Sequence, residues 1–280
     1  MSFTYSMSGY EFGTRTLRNG MWLVRGTEYA PALTSQVPVV EVPTVPYDIP
    51  QWQVRLSPIT VGMTFRIKGA DGNDLRDQWD MLMGLAGMGT NAPVVMTRNR
   101  SGTTENADAQ FMSSTAPDFD CPRHLLDLQM IMNIPGGAWR GPQTDQNFNT
   151  AQNQPINTAN ASNRPIADAL IRTAGPLSSL TVTDTVSGTA VHWGGGTSTV
   201  PSGQFLLIEV STMRAAILPT ATWDVSAGTQ VSAILTFRGN GPLTLTSRRT
   251  GFAATPTSGL TIARSGGTGV TTVRSRPAVV

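Results

Sequence analysis

Two ten-residue stretches with strict alternation constrain this chain more than anything else in it. In the first, Ile59, Val61, Met63, Phe65 and Ile67 share one side, and Thr60, Thr64, Arg66 and Lys68 share the other. In the second, Leu126, Leu128, Met130, Met132 and Ile134 recur at every other position. A period of two is that of a β-strand with one face in a core and one in water. The two stretches are expected in one antiparallel sheet. Composition points the same way: Thr occurs 37 times, Gly 28 and Pro 19, and charged residues are 14% against a typical ~25%. β-Branched residues and turn formers with few Glu and Lys exclude a helical bundle.

Around these strands the first half reads as further strand and a single helix. Trp52 to Leu56 alternates, Pro93–Met96 is a short apolar run, and 109–113 is another strand. Between them, Asp71-Gly72 makes a turn and Asn73 is placed to cap a helix. Leu75, Trp79, Leu82, Leu85 and Ala86 form its apolar stripe, Asp74 favours its N-terminal dipole, and Gly87 and Gly89 end it. The second half reads as strands alone: 165–172, 180–183, 204–210, 214–218, 231–237, 243–246, 259–263 and 270–274. Short strands separated by Gly, Ser and Pro turns at this spacing suggest a β-sandwich.

The break falls at 143–163, where ten of 21 residues are Gln or Asn. So little apolar surface offsets little ordering entropy, and a linker is expected there. The expected organisation is therefore a domain at 1–142, a Gln/Asn-rich linker at 143–163, and a domain at 164–280. The fold class is all-β with one short helix, as two β-sandwich or barrel domains.

Charge and residue chemistry exclude several functions. The 20 basic and 18 acidic residues nearly balance, with no clustered basic stripe such as a nucleic-acid binder carries. The single cysteine, Cys121, allows no internal disulfide and no cysteine metal cage, and the two histidines, His124 and His192, leave little general-base chemistry. The polar N-terminus lacks the apolar core of a signal peptide, and no run of about 18 apolar residues is present. A soluble protein made in a cytoplasm is expected, with no membrane insertion.

Candidate catalytic motifs fail on inspection. Gly194–Gly196 and Gly266–Gly269 resemble phosphate-cradling loops, but neither opens a helix, and they read as turns between strands. Ser187-Gly188 and Ser202-Gly203 make no nucleophile elbow. Cys121 and His124, three apart beside Pro122, lack a separate base or oxyanion donor. Asp71, Asn73 and Asp77 lack calcium-loop spacing. No catalytic, cofactor-binding or metal residue is expected, and the chain reads as a non-enzyme. Trp193 and Trp223 are the candidate sugar contacts, since an exposed indole stacks on a sugar ring. Arg66, Lys68, Arg248 and Arg249 are the candidate subunit contacts. A Thr/Ser/Asn-rich surface of low charge suits an assembly component, because little charge need be desolvated against a neighbour.

The order of strands also carries a family resemblance. Pro165-Ile166-Ala167-Asp168-Ala169-Leu170-Ile171-Arg172 is followed by Leu180-Thr181-Val182-Thr183-Asp184, then by Gly203-Gln204-Phe205-Leu206-Leu207-Ile208-Glu209-Val210. Arg214 lies in the next strand, and Val273-Arg274-Ser275-Arg276-Pro277 closes the series. This resembles the galectin-like C-terminal domain of siphophage distal tail proteins, with the G-x-x-L-x-I-(D/E) strand, an Arg-bearing strand and a terminal Arg-Pro. The first half, from Met1-Ser2-Phe3-Thr4-Tyr5 through the long strand 59–68, the helix and the strand 124–134, resembles the family's belt domain. The resemblance implies a virion protein of the tail tip. Six copies would form a ring by heterologous contacts, with strand pairing between subunits covering sheet edges. The ring would join the tail tube protein to the baseplate hub or tail-associated protein and leave a channel for the tape-measure protein and DNA. Residues 1–142 carry 11 basic and 13 acidic side chains, a net −2 that agrees in sign with a wall that repels DNA. The implied partners are thus a homo-hexamer, these tail proteins and a host cell-wall glycan, with no sequence-specific nucleic acid. The alternatives are a tail tube or other minor tail protein, and a cell-wall carbohydrate-binding module.

Overall fold

The computed structural model describes residues 3–12, 20–24, 35–36, 39–40, 49–50, 55–56, 58–87, 92–100, 102–115, 118–149, 153–195, 198–239, 241–250 and 254–279. The protein is all-β apart from one long helix and a few short helical turns, and it divides into two units meeting at residues 141 and 142.

In the first unit the sheet runs in the order Tyr10–Glu11, Phe3–Met7, Val94–Arg100, Thr103–Ser114, Leu125–Ile134, Ile59–Lys68, Gly20–Leu23. The two alternating strands are central and antiparallel, as their pattern demands, with Ile67 opposite Leu126, Phe65 opposite Leu128, Met63 opposite Met130, Val61 opposite Met132 and Ile59 opposite Ile134. All ten of these side chains are buried. Each contributes roughly 1.5–3 kcal/mol by burial, and a one-residue slip would turn all five of one strand into water, which fixes the register. Much of this interior is methionine: Met7, Met21, Met63, Met83, Met96, Met130 and Met132 are all buried.

The helix spans Gly72–Leu85. Its cap is Asp71 rather than Asn73: the Asp71 carboxylate accepts from the backbone N–H groups of Asn73 and Asp74, both at 2.9 Å. Gly69 must be glycine there, because a Cβ would lie 2.5 Å from the backbone nitrogen of Leu75. Leu75, Leu82, Met83 and Ala86 are buried, whereas Trp79 is only half-buried. Gly87, at φ 72°, ends the helix as expected; Gly89 lies outside the described residues. Of the alternating stretch beginning at Trp52, only Arg55–Leu56 is described, paired with Ser35–Gln36.

The second unit holds two antiparallel sheets. The six-stranded one runs Thr144–Phe148, Thr271–Ser275, Leu170–Ala174, Phe205–Glu209, Arg214–Leu218, Thr229–Gln230. The four-stranded one runs Leu235–Arg238, Ala190–Gly194, Ser179–Asp184, Leu260–Ser265. Ile171, Val273, Leu206, Ile208, Leu180, Val182, Val191, Trp193 and Ile262 are buried. They come from alternate positions of both sheets, the pattern of a two-sheet sandwich.

The described parts of the segment 143–163, expected as a linker, are built into this unit. Thr144–Phe148 is an edge strand on Thr271–Ser275, with Phe148 buried, and Asn157–Asn160 is a helical turn whose Thr158 hydroxyl bonds Ser275 at 2.6 Å. Gln and Asn serve here as bonding groups: the Gln146 amide donates to the carbonyl of Pro155 and accepts from the N–H of Asn157. Two other expectations also shift. Residues 243–246 form no strand but a lone bridge through Leu245 to Ile166, and Ala190–Gly194, read only as a Trp before a glycine run, is an interior strand of its sheet.

Candidate functional site

The most chemically dense surface described lies on the six-stranded sheet, on the face opposite Ile171, Leu206, Ile208 and Val273. Strand register sets it. Asp145 sits directly across from Arg274, Leu170 from Arg274 and from Glu209, and Arg172 from Leu207. Alternation then puts Asp145, Arg274, Leu170, Arg172, Phe205, Leu207 and Glu209 on one face.

The centre of this face is an aromatic–cation cluster. The guanidinium carbons of Arg172 and Arg274 lie 4.1 and 4.2 Å from the ring centre of Trp223, and Arg172 also lies 5.8 Å from that of Phe205. Arg274 donates twice to Asp145, Nε at 2.7 Å and Nη2 at 2.8 Å, a fork-to-fork pair. Arg172 bonds to backbone instead. Its Nη1 donates to the carbonyl of Ala221 at 2.5 Å and so holds the loop that carries Trp223. Beneath that loop, Leu207, Ala216, Leu218 and Val225 form a buried cluster on which Leu170, Phe205 and Trp223 pack. The hydrogen bond from Arg274 holds the Asp145 carboxyl below the usual carboxylate range. Burial, and then the like charge of Arg274, push the Arg172 guanidinium down.

Beside this cluster is a cleft of about 230 Å³ edged by Asp168, Glu209, Arg274 and Arg276, with Leu170 in its lining. Arg276 reaches Asp168 at 3.6 Å, and the Thr212 hydroxyl donates to Glu209 Oε2 at 2.5 Å. Among the described residues no group of three or more His, Cys, Asp or Glu is placed to hold a metal ion, and no helix is long and apolar enough to cross a membrane.

The residues expected from sequence are scattered rather than gathered. Trp193 is fully buried in the four-stranded sheet opposite Leu180, so it cannot stack on a sugar; this corrects the expectation, and the reason is that strand alternation turns its indole inward. Trp223 is half-buried, packed on the cluster beneath its loop and engaged by two arginines. Arg66 is already paired with Asp127 within its own sheet, at 2.7 and 2.5 Å, and that bond raises its pKa. Lys68 is exposed two residues further along the same strand. Arg248 and Arg249 are exposed, in the other unit. Missed by sequence reasoning were Asp145, Arg172 and Arg274 as one constellation. The available signal was Arg172 and Arg274 at outward positions of alternating strands, but their adjacency needs the strand order.

The sequence matches no family model and no curated protein. Solved structures do match. The chain as a whole superposes on the whole of the Dit protein of phage SPP1, described as a paradigm of the hub adsorption apparatus in phages infecting Gram-positive bacteria, with a TM-score of 0.59 at 12% identity. It also covers a full chain of the phage P2 baseplate in its activated conformation, in calcium and in strontium forms, at a TM-score of 0.40 and 9% identity in each. The fold is therefore Dit-like across both units.

Proposed function

We propose that this chain is a non-enzymatic structural subunit of a tailed-phage tail tip, resident in the virion. The observation that carries the reading is the end-to-end correspondence with SPP1 Dit, 100% of each chain at a TM-score of 0.59, which includes both units and not one alone. The strand pattern of the sequence points to the same family independently. In this reading the first unit is the belt-like, ring-forming domain, and six copies close a ring by contacts between unlike patches. The ring joins the tail tube to the baseplate hub and leaves a channel for the tape-measure protein and DNA. The second unit is the galectin-like module that projects outward. Lys68, Arg248 and Arg249 are exposed and can meet a neighbouring subunit, while Arg66 would do so only by giving up or sharing Asp127.

Negative-stain microscopy of the purified protein, alone and mixed with its tail tube protein, tests this directly. Six-fold rings are expected in at least one condition. A monomer in both, or long tubes from the protein alone, overturns the ring reading; the second outcome identifies a tube protein.

A further inference from the structure

We propose that the cleft beside Trp223 is a binding site for a single neutral saccharide ring. Its size is the first argument. At about 230 Å³ it lies below the ~300 Å³ where pockets for drug-sized ligands begin, so it takes one ring and not a chain.

Its charge is the second. Asp168 and Glu209 contribute two negative charges and Arg274 and Arg276 two positive ones, so the lining sums to zero and offers no net positive charge to favour a phosphate or carboxylate. What it does offer is donors and acceptors interleaved around one apolar residue, Leu170. A sugar hydroxyl both donates and accepts, so it satisfies both kinds at once, and a pyranose adds a C–H face for the leucine.

Preorganisation is the third argument. Arg274 spends Nε and Nη2 on Asp145 and lies against Trp223, which leaves Nη1 outside that pair. Glu209 accepts from Thr212 at Oε2, which leaves Oε1 outside that bond. Two of the four charged groups are thus held in place by bonds that do not use all their polar atoms, and groups already ordered lose less entropy on binding. Trp223, the sequence-level candidate for stacking, instead acts as a positioning residue behind Arg274.

This site depends on the second unit alone, so an absence of rings in the microscope would leave it standing. The test is ligand-observed NMR on the full chain with methyl β-galactoside, methyl α-glucoside and N-acetylglucosamine, and with glucuronate as the charged comparison. At least one neutral sugar should bind saturably with a Kd on the order of millimolar. Glu209→Gln should weaken it about tenfold and Ser211→Ala about threefold, since a bond to a charged group is worth more than a neutral one. Arg238→Ala, exposed on the four-stranded sheet and outside the cleft lining, should leave it unchanged. No saturable binding by any of the three neutral sugars overturns the proposal. So does tighter binding of glucuronate, or binding that survives both cleft variants undiminished.

Discussion

Among the described residues, each unit carries a copy of the same three-part device, and the two copies differ in solvent exposure. In the first unit Arg98 faces Glu105 directly across two strands, with Nε 2.5 Å from the carboxylate and its guanidinium 4.6 Å from the ring centre of Trp139. In the second, Arg274 faces Asp145 directly across two strands, at 2.7 Å, with its guanidinium 4.2 Å from Trp223. The first pair is sealed, its side chains 1% and 4% exposed; the second is open, at 23% and 41%. Register and the set of arginine, carboxylate and indole are alike; the acid is Glu in one and Asp in the other and Trp223 also carries Arg172, so burial is the largest difference and not the sole one. A sealed pair has lost the hydration of both charges and depends on its geometry, whereas an open pair is screened and contributes little to stability. The sealed copy therefore depends on both partners being present, whereas the open copy remains in contact with water.

Removing one charge separates the two copies most sharply. Glu105→Ala strands the Arg98 cation in the core and should cost roughly 3–5 kcal/mol, read in denaturant unfolding. Replacing both partners, Arg98→Met with Glu105→Leu, should recover most or all of that loss; if the double variant is as weak as the single, the cost is not that of an unpaired charge. Next come the indoles. Trp139→Ala should cost about 3–5 kcal/mol as a fully buried ring, and Trp223→Ala only about 1–2 kcal/mol, as a half-buried ring with two cation contacts. Equal losses for the two would abolish the contrast.

Smallest is Asp145→Asn, at less than about 1 kcal/mol near neutral pH. Its sign with pH follows from the lowered pKa of Asp145 in the folded state. The pair contributes above the unfolded value near ~3.9, and the contribution is lost as pH falls through the folded value. The gap in stability between native protein and variant should thus be flat from neutral down to about pH 5 and close at lower pH. A gap that widens on acidification would refute the assignment.

What the sequence made legible was whatever one strand or one helix decides alone. The inward faces of Ile59–Lys68 and Leu125–Ile134 were readable because alternation is local, and their shared antiparallel sheet followed from it; that they are direct neighbours is the structure's addition. Trp193 was misplaced because that rule was not applied there: the strand Ala190–Gly194 was hidden by the glycines that follow it. Gln- and Asn-rich composition misled at 143–163, because amide side chains can satisfy backbone groups as well as stay in water. The cluster of Asp145, Arg172, Trp223 and Arg274 was not legible at all. Its members are as far apart as 129 residues along the chain, and only the order of strands brings them together.

The sulfur-lined interior of the first unit has a consequence of its own. Seven of the twelve methionines are buried there, and none is buried among the described residues of the second unit. Unbranched thioethers re-fit a shifted neighbour more readily than leucine or isoleucine, so this interior is pliant under small distortions of its sheet. Burial shields these sulfurs from peroxide while the sheet is closed, but each one oxidised during an opening puts a polar oxygen where none can be solvated on closing. An oxidant should therefore melt the first unit while sparing the second.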